Sequence, residues 1–319
     1  GEADSDGSGM SLSLSSDGSR VAIGAMDNDG NGSNSGHVRI YDYNGSAWVQ
    51  VGGDIDGEAA GDESGSSVSL SSDGSRVVIG ANNNDGGGTN SGHVRIYDYN
   101  GSAWVQVGAD IDGEGAGDSS GFSVSISSDG KRVAIGAEDN DAGNAYTDNR
   151  GHVRIYDYNG SAWVQVGGDI DGEAAGDQSG SSVSLSSDGS RVVIGANNND
   201  GGGTNSGHVR IYDYNGSAWV QVGADIDGEG AGDSSGFSVS ISSDGSRVAI
   251  GAPSNNGAAS DAGHVRVYSL PGEVYKYTWD VDSGSTPPSG IYYATVSGTV
   301  AASGGAYSGT QSLTFTLDT

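Results

Sequence analysis

Cysteine is absent from the 319 residues, so neither disulfides nor thiolate metal sites are available. Basic residues are scarce: 13 Lys and Arg stand against 42 Asp and Glu, and the net charge is −29. Binding to nucleic acid or to an anionic membrane surface requires basic residues, so the charge excludes both. No apolar run reaches about 18 residues, which excludes direct insertion of a transmembrane helix. Divalent cations and neutral surfaces such as glycans remain as partners.

Proline is rare as well, with four residues, and no segment shows helical periodicity or a capped apolar stripe. The chain has 59 glycines and regular runs of β-branched residues. Low proline and regular apolar runs argue against disorder. The length suits one large all-β domain or two ordinary ones.

What the sequence does contain is repetition. The seventeen residues GHVRIYDYNGSAWVQVG occur four times without a change, beginning at Gly36, Gly92, Gly151 and Gly207. A hairpin pattern, SVS[LI]SSDG[SK]RV[AV]IGA, recurs five times; its first copy has Leu12 where the others have Val. Blocks also match at an offset of 115 residues, which indicates a recent duplication of a two-repeat unit. The turn of the hairpin carries Asp17, Asp73, Asp129, Asp188 and Asp244.

Each unit of about 57 residues predicts four short strands. Asp73-Gly74 predicts a tight primed turn with positive φ angles, and Asn100-Gly101 predicts a second hairpin. The apolar run VVIGA predicts a strand that is buried on both faces. In the second unit the predicted strands are Ser67–Ser71, Arg76–Ala81, His93–Tyr99 and Ala103–Val107.

Five such units predict an all-β fold, a β-propeller of about five four-stranded blades. One blade cannot bury both of its faces, so neighbouring blades must cover each other. An open β-solenoid is the main alternative, although its coils are usually shorter and lack tight hairpins within each unit.

The last unit reads SGFSVSISSDGSRVAIGAPSNNGAASDAGHVRVY over Ser235–Tyr268. It resembles the FG-GAP repeat of integrin α-subunit propellers, and more closely the tandem GEAxGDxxGxSVSLSSDGxxVAIGA arrays of large surface proteins in marine microbes and algae. The resemblance covers residues 1–270. Two features depart from the family: Ser120-Gly121-Phe122 stands where the family has Phe-Gly, and a bare Ser-Asp-Gly turn replaces the calcium loop between the first two strands. Calcium at that turn is therefore not expected.

The composition changes after Leu270, so we predict two domains: the propeller at 1–270 and a β segment at 271–319. The second segment has strand candidates at Val274–Val281, Ile291–Val296 and Ser312–Leu317, and it resembles half of a bacterial Ig-like module. Alternatively, Tyr275–Asp282 is the last strand that closes the ring. The sequence is compatible with both alternatives. An incomplete sheet can also be completed by a strand of a second copy, so self-assembly through the C-terminal segment is a further expectation.

The acidic link between units is the candidate metal site. Carboxylates alternate with glycine there, a pattern that can wrap Ca²⁺, which takes six to eight oxygen ligands. The alternative is that the isoleucine of the link fills the core while the acids keep a loop solvated. The candidate calcium ligands are Asp54, Asp56, Glu58 and Asp62, with their counterparts Asp110, Asp112, Glu114, Asp118, Asp169, Asp171, Glu173, Asp177, Asp225, Asp227, Glu229 and Asp233.

Three further sets of residues recur. The histidine of each Gly-His-Val-Arg predicts a repeated hydrogen bond to a neighbouring strand rather than a central metal ring. The tryptophans and tyrosines of YDYNGSAW either pack between blades, which we favour, or form stacking platforms for sugars. Asn-Gly-Ser sequons are glycan acceptors if the chain is secreted by a eukaryote, and turn formers otherwise. The sequons start at Asn31, Asn44, Asn100, Asn159 and Asn215.

No nucleophile elbow, catalytic triad or phosphate loop is present in the sequence, so we predict no catalysis and no certain cofactor beyond candidate Ca²⁺. The predicted function is a structural or adhesive one, a rigid extracellular propeller within a cell-surface protein or filament. The alternative is a lectin-like module that binds glycans or calcium. Partners would be other surface-protein subunits or extracellular glycans and proteins.

Overall fold

A computed structural model describes residues 1–141, 148–257 and 259–270. The chain divides into two compact units, Gly1–Leu270 and Pro271–Thr319, at the point where the composition changes. The predicted Ig-like half-module and the alternative ring-closing strand both fall outside the described residues. Within the described residues the fold is all-β, with 23 strands and no helix, as the sequence predicts.

The strands form five successive sheets, which we call blades 1 to 5. Blade 1 contains β1 (Ser11–Leu14), β2 (Arg20–Ala25), β3 (His37–Tyr43), β4 (Trp48–Gln50) and β5 (Ile55–Asp56). Blade 2 contains β6 (Ser67–Leu70), β7 (Arg76–Ala81), β8 (His93–Tyr99), β9 (Trp104–Gln106) and β10 (Ile111–Asp112). Blade 3 contains β11 (Ser120–Ile126), β12 (Arg132–Ala137), β13 (His152–Tyr158), β14 (Trp163–Gln165) and β15 (Ile170–Asp171). Blade 4 contains β16 (Ser179–Leu185), β17 (Arg191–Ala196), β18 (His208–Tyr214), β19 (Trp219–Gln221) and β20 (Ile226–Asp227). Blade 5 contains β21 (Ser238–Ile241), β22 (Arg247–Ala252) and β23 (His264–Ser269).

Each complete blade is a four-stranded antiparallel meander whose outermost position is divided. In blade 2 the order is β6, β7, β8, and then β9 and β10 both pair with β8. Strand β9 covers the Tyr97–Tyr99 end of β8, with Tyr99 opposite Trp104, while β10 covers the His93 end, with Val94 opposite Ile111. The five short strands therefore fill four positions, which agrees with the predicted blade.

The hairpin turns differ from the prediction in one respect. The N–H of Gly74 donates to the carbonyl of Ser71, and Gly74 alone adopts a positive φ of 68° while Asp73 does not. This is a turn of the ordinary hand followed by a left-handed glycine, whereas a primed turn needs positive φ at both central residues. Asp73 instead uses its side chain, because Oδ1 accepts from the Ser75 N–H and from Ser71 Oγ.

The hydrophobic core lies between blades. Strand β7 shows the arrangement: Val77 and Ile79 pack with blade 1, while Val78 packs with blade 3. All three are at most 1% exposed, so the prediction of a strand buried on both faces is confirmed. We call the face toward the preceding blade the leading face and the face toward the following blade the trailing face. Four joints of this kind link blades 1 to 5.

Glycine allows the blades to approach closely at each joint. A Cβ added to Gly80 in β7 would lie 2.0 Å from the carbonyl oxygen of Gly121 in blade 3. Gly24, Gly136 and Gly195 meet the next blade in the same way, at 2.0 to 2.1 Å. The glycine of the repeated Ile-Gly-Ala segment is therefore required by the neighbouring blade.

Candidate functional site

The acidic link folds so that carboxylates from two different copies meet at one histidine. Glu58 belongs to the link before blade 2 and Asp110 to the link after it, and both reach His93 at the start of β8. One ligand atom from each lies within 4.8 Å of the other two. This combination was not predicted, because residues 52 positions apart in sequence meet only through the blade between them. The groups are Glu2–His37–Asp54, Glu58–His93–Asp110, Glu114–His152–Asp169 and Glu173–His208–Asp225.

The histidine of each group is buried and lies beside an arginine. His93 is 1% exposed, and its Nδ1 lies 3.9 Å from Glu58 Oε2. Arg95 Nη1 lies 3.6 Å from Glu58 Oε1. Burial, and then the charge of Arg95, lower the pKa of His93; in blade 3 the same causes lower the pKa of His152 to about 4. These imidazoles are therefore neutral at pH 7, and the Nε2 atom of His93 does not make the predicted hydrogen bond to a described residue.

Of the other two predicted ligands of the link, Asp62 has structural partners for its carboxylate, whereas Asp56 has one for its backbone carbonyl. Asp62 is 3% exposed, and its Oδ2 accepts from the Ala59 N–H at 2.9 Å and from Asn84 Nδ2 at 3.0 Å. The carbonyl oxygen of Asp56 accepts from Arg95 Nη2 at 2.7 Å. Asp118, Asp177 and Asp233 repeat the bond to an asparagine of the following loop.

The four carboxylates of one link thus do not form one loop around a single point. Asp54 joins the histidine of the blade before it, Glu58 joins the histidine of the blade after it, and Asp62 fixes the entry loop. The remaining grouping is an imidazole with two carboxylates, which are ligands that divalent cations accept. The adjacent arginine opposes a cation electrostatically. Calcium binding by the listed carboxylates of the link stays a prediction.

In blades 2 to 4 the aromatic residues of YDYNGSAW lie in the joints between blades, whereas Tyr43 and Trp48 of blade 1 are 47% and 46% exposed. Trp104 Nε1 donates to the carbonyl of Val51 in blade 1 at 3.0 Å. Arg20 of blade 1 stacks over the ring of Tyr99 at 4.8 Å and over Trp104 at 5.6 Å. The same guanidinium pairs with Asp42 of its own blade and donates to the carbonyl of Gly74 at 2.9 Å. The sequence predicted aromatic packing between blades but missed the arginine, although an Arg–Asp pair recurs 22 residues apart in blades 1, 2 and 4 and 25 residues apart in blade 3.

The sequons occupy exposed turns. Asn100 Oδ1 accepts from the N–H groups of Ser102 and Ala103, both at 3.0 Å. The same contacts recur at Asn44, Asn159 and Asn215, so the turn role is present in all four copies. At Asn31 the side-chain amide nitrogen donates to the carbonyl of Gly57 at 2.7 Å. Glycosylation stays a prediction at all five positions.

Comparison with known families assigns the repeats. The FG-GAP repeat model matches residues 55–97 and 170–212, each of which runs from the end of one blade through the third strand of the next. These two segments match the FG-GAP repeat. Blades 1, 3 and 5 contain the same three strands as the two matched segments. No curated protein matches the sequence.

Solved structures share the fold of this chain. Hydrazine synthase of Kuenenia stuttgartiensis aligns with a TM-score of 0.52 at 16% identity, over 84% of this chain and 63% of that one. A putative 6-phosphogluconolactonase from Bacteroides uniformis ATCC 8492 aligns with a TM-score of 0.54 at 12% identity, over 84% and 69%. At these identities the likeness concerns the propeller fold alone, and the chain spans less than two thirds of the first structure.

FG-GAP repeats form β-propeller modules of the integrin-α type and are typical of extracellular or surface proteins. Among the described residues, no helix has the length and apolar character needed to cross a membrane. A surface depression of about 470 Å³ lies between two turns of blades 2 and 3, where Arg76, Asp98, Lys131 and Tyr158 line it. Its arginine, aspartate and tyrosine are the joint residues that recur in other blades, so it is not a unique catalytic constellation.

Proposed function

We propose that the chain is a non-enzymatic structural or adhesive module, a rigid FG-GAP propeller that acts outside the cell within a surface protein or filament. The observation that supports this proposal is that the recurring polar and aromatic side chains contact other parts of the protein. Arg20, Trp104 and Asp62 have counterparts at equivalent positions, and each is committed to a contact that holds blades or loops together. A catalytic or lectin site would require such groups to be unpaired and to converge on a ligand.

The lectin-like alternative depends on aromatic residues exposed beside unpaired polar groups. In blades 2 to 4 the tryptophan indole donates to the preceding blade and its face carries an arginine. This arrangement favours the scaffold. A glycan array probed with the whole chain at physiological salt separates the two readings: we expect no saturable binding, and a glycan retained with saturation would favour the lectin.

Mechanical resistance tests the scaffold role directly. Pulling a single molecule between Gly1 and Leu270 should unfold the array in steps, because each blade contacts only its neighbours. Each step should release the 56 to 59 residues of one blade, or about 190 Å of extended chain. A single low-force event without steps would contradict a load-bearing array. Antibodies against the array should label intact cells of the source organism, which tests the extracellular location.

Binding of a divalent cation is the second candidate, favoured by the four groups in which one histidine meets two carboxylates. Thermal melts in EDTA and then in millimolar Ca²⁺ test it, because a ligand that binds only the folded state raises the melting temperature. We expect a rise that is reduced in Glu114→Gln. The exposed turn variant Asp17→Asn is the matched control and should retain the rise. An unchanged melting temperature in the wild type would remove the candidate.

A further inference from the structure

The groups in which a histidine meets two carboxylates contain a buried polar side chain that its surroundings do not satisfy. His93 is 1% exposed, and its Nε2 atom makes no hydrogen bond to a described residue. Its Nδ1 atom faces the carboxylates, but it lies 3.9 Å from Glu58 Oε2, which is too long for a hydrogen bond. A buried polar group without a hydrogen bond costs free energy, so a ligand that binds Nδ1 would stabilise the folded state.

The separation between histidine and glutamate is nearly constant in blades 2 to 4. The distance from Nδ1 to Oε2 is 3.9 Å at His93 and 3.8 Å at His152 and His208. The aspartate of the following link completes each group within 4.8 Å. An ion about 2.1 Å from two ligands in a tetrahedral arrangement separates those ligands by about 3.4 Å. The glutamate oxygen is therefore only about 0.5 Å too far away, and rotation of the partly exposed carboxylates can close the difference.

A glutamine holds the aspartate of each group from outside. In blade 1, Asp54 Oδ1 accepts a hydrogen bond from Gln50 Nε2, while Asp54 Oδ2 lies 3.9 Å from His37 Nδ1. Carboxylates that bind metals are commonly held by an outer hydrogen bond of this kind, which leaves the other oxygen for the ion. The same bond recurs in the other groups, from Gln106 to Asp110, from Gln165 to Asp169 and from Gln221 to Asp225.

The arginine beside each histidine holds the glutamate in a comparable way. Arg95 Nη1 lies 3.6 Å from Glu58 Oε1, whereas Oε2 is the oxygen that faces His93 Nδ1. Arg154 and Glu114 repeat this contact at 3.7 Å. The arginine charge weakens the attraction of a cation, but two carboxylates and one guanidinium leave the group with a net negative charge. The group therefore still attracts a divalent cation.

The donor atoms select the class of ion. Ca²⁺ takes six to eight oxygen ligands, whereas each group supplies one imidazole and two carboxylates. An imidazole nitrogen suits Zn²⁺, and three protein ligands with water in the fourth position are a common arrangement for this ion. We propose that each of the four groups binds Zn²⁺ through the histidine Nδ1 and one oxygen of each carboxylate. This inference rests on the divalent-cation candidate above and names its ion.

Such an ion would join the two links that flank a blade. Glu58 comes from the link before blade 2 and Asp110 from the link after it, while His93 begins β8 between them. The short strand β10 is held to β8 by two residue pairs, one of which contains His93. A metal bond at this end would fasten the link where the backbone pairing is shortest, so ion binding should stiffen each blade.

Isothermal titration calorimetry of the whole chain tests the proposal. The probe is Zn²⁺, titrated in millimolar Ca²⁺ so that exposed carboxylates outside the groups are already screened. Asp169→Asn and Glu114→Gln each remove one ligand from the group of His152. Both side chains belong to exposed residues, so the fold should be retained, which circular dichroism checks. We expect each variant to bind one Zn²⁺ fewer than the wild type, and a wild type that binds no Zn²⁺ would overturn the proposal.

Asp171→Asn is the matched comparison for Asp169→Asn. Asp171 is the next acid of the same link and is also exposed, but its carboxylate lies outside the group. This variant should bind as many Zn²⁺ ions as the wild type. An equal loss in Asp171→Asn would mean that the alternating acids of the link wrap the ion, and it would overturn the proposal.

Nitrogen NMR shows whether the imidazole is a ligand. The chain has five histidines, so selective ¹⁵N labelling gives few resonances. Zn²⁺ should shift the Nδ1 resonances of His37, His93, His152 and His208, and Asp169→Asn should remove the shift of His152 alone. Zn²⁺ bound without a shift of any Nδ1 resonance would assign the ion to carboxylates only, and it would overturn the proposal.

The preference between ions separates this inference from the candidate on which it rests. We expect Zn²⁺ to bind at least about tenfold more tightly than Ca²⁺. A calcium-dependent rise in melting temperature with no preference for Zn²⁺ would keep the divalent-cation candidate and overturn the inference. Saturable Zn²⁺ binding at the four groups with no response to Ca²⁺ would support the inference and remove calcium as the ion.

Discussion

Glu138 illustrates how one side chain can differ from its repeated surroundings. It follows β12, at the position held by Asn82 in blade 2 and Asn197 in blade 4. Burial, with a further contribution from Asp139, raises the pKa of Glu138 to about 8. The unfolded chain titrates near 4.5, so between these pH values the folded state binds more protons and its stability falls as the pH rises. Above about pH 8 the full penalty is present.

Replacing Glu138 with Asn should therefore stabilise the protein at alkaline pH. We expect the free energy of unfolding to rise by roughly 3 to 5 kcal/mol at pH 8.5 and to change by less than about 1 kcal/mol at pH 4. Guanidinium denaturation at both pH values measures the difference. Asp4→Asn, at an exposed carboxylate, is the control and should have little effect at either pH. An equal gain at both pH values for Glu138→Asn would show that the burial of charge is not the cause.

At the residue scale, the sequence shows which residues recur in each blade, but it does not show which residues contact one another. The sequence shows that His93 and Glu58 recur. Whether their side chains lie close together depends on the path of the link beside the blade, which the sequence does not show. Trp104 was expected between blades because a large aromatic side chain loses exposed area there. An Arg–Asp pair recurs in blades 1 to 4, which marks Arg20 as a structural residue, but this recurrence does not show toward which blade the arginine side chain points.

At the scale of strands, a joint tolerates little added volume. Gly136 in β12 lies where a Cβ would meet the carbonyl oxygen of Gly180 at 2.1 Å and Ser123 Oγ at 2.4 Å. Gly136→Ala should cost about 3 kcal/mol of unfolding free energy, since the blades must separate to accept a methyl group. Gly251→Ala is the matched control, because its Cβ would meet only Ser238 at 2.4 to 3.7 Å and no following blade. Equal melting temperatures for the two variants would contradict the role of close approach.

The tryptophan hydrogen bond allows a second matched comparison. Trp163 Nε1 donates to the carbonyl of Val107 at 2.9 Å, and Trp163→Phe leaves that carbonyl without its donor. We expect a loss of about 1 to 2 kcal/mol. Trp48→Phe is the matched control, because the Trp48 side chain is 46% exposed and its indole donates to no described residue; it should cost less than about 0.5 kcal/mol. Urea denaturation measures both losses, and similar losses at the two sites would argue against the joint as the cause.

The strands themselves were largely predictable. The alternation in β6, the apolar run in β7 and the Asn-Gly signal before β9 placed the four positions of a blade within about one residue. The two-residue strand β10 was missed, because Ile111 and Asp112 have no pattern of their own and pair only where β9 leaves His93 and Val94 uncovered. The turn at Asp73 was assigned the wrong hand, since its side-chain hydrogen bonds stabilise a conformation that the Asp-Gly pair alone does not specify.

For the whole molecule, the number of neighbours should set local stability. Blade 3 has joints on both faces, while blades 1 and 5 each have one joint within the described residues. In an array of this kind stability is close to a sum over units and nearest-neighbour contacts. Hydrogen exchange followed by mass spectrometry should show slower exchange in β12 than in β2 and β22. Uniform protection across all three strands would contradict the additive description.

The order of blades was predictable from the repeat, because each unit carries the same strand signals. Which side chain of a strand meets the preceding blade and which meets the following blade was not predictable. Val77 and Val78 have the same apolar character, yet Val77 packs with blade 1 and Val78 with blade 3.

The joints between blades alternate in type: Ala22 and Ala134 pack with Leu70 and Leu185 of the next blade, whereas Val78 and Val193 pack with Ile126 and Ile241. This alternation has a consequence for how such a chain changes length. Removing or inserting one blade would bring an Ala face against Ile, or a Val face against Leu, at the new junction. Removing or inserting two adjacent blades leaves every junction of a kind already in use. Recombination between copies would therefore yield folded products chiefly in steps of two blades, and the 115-residue offset in the sequence is the length of that step.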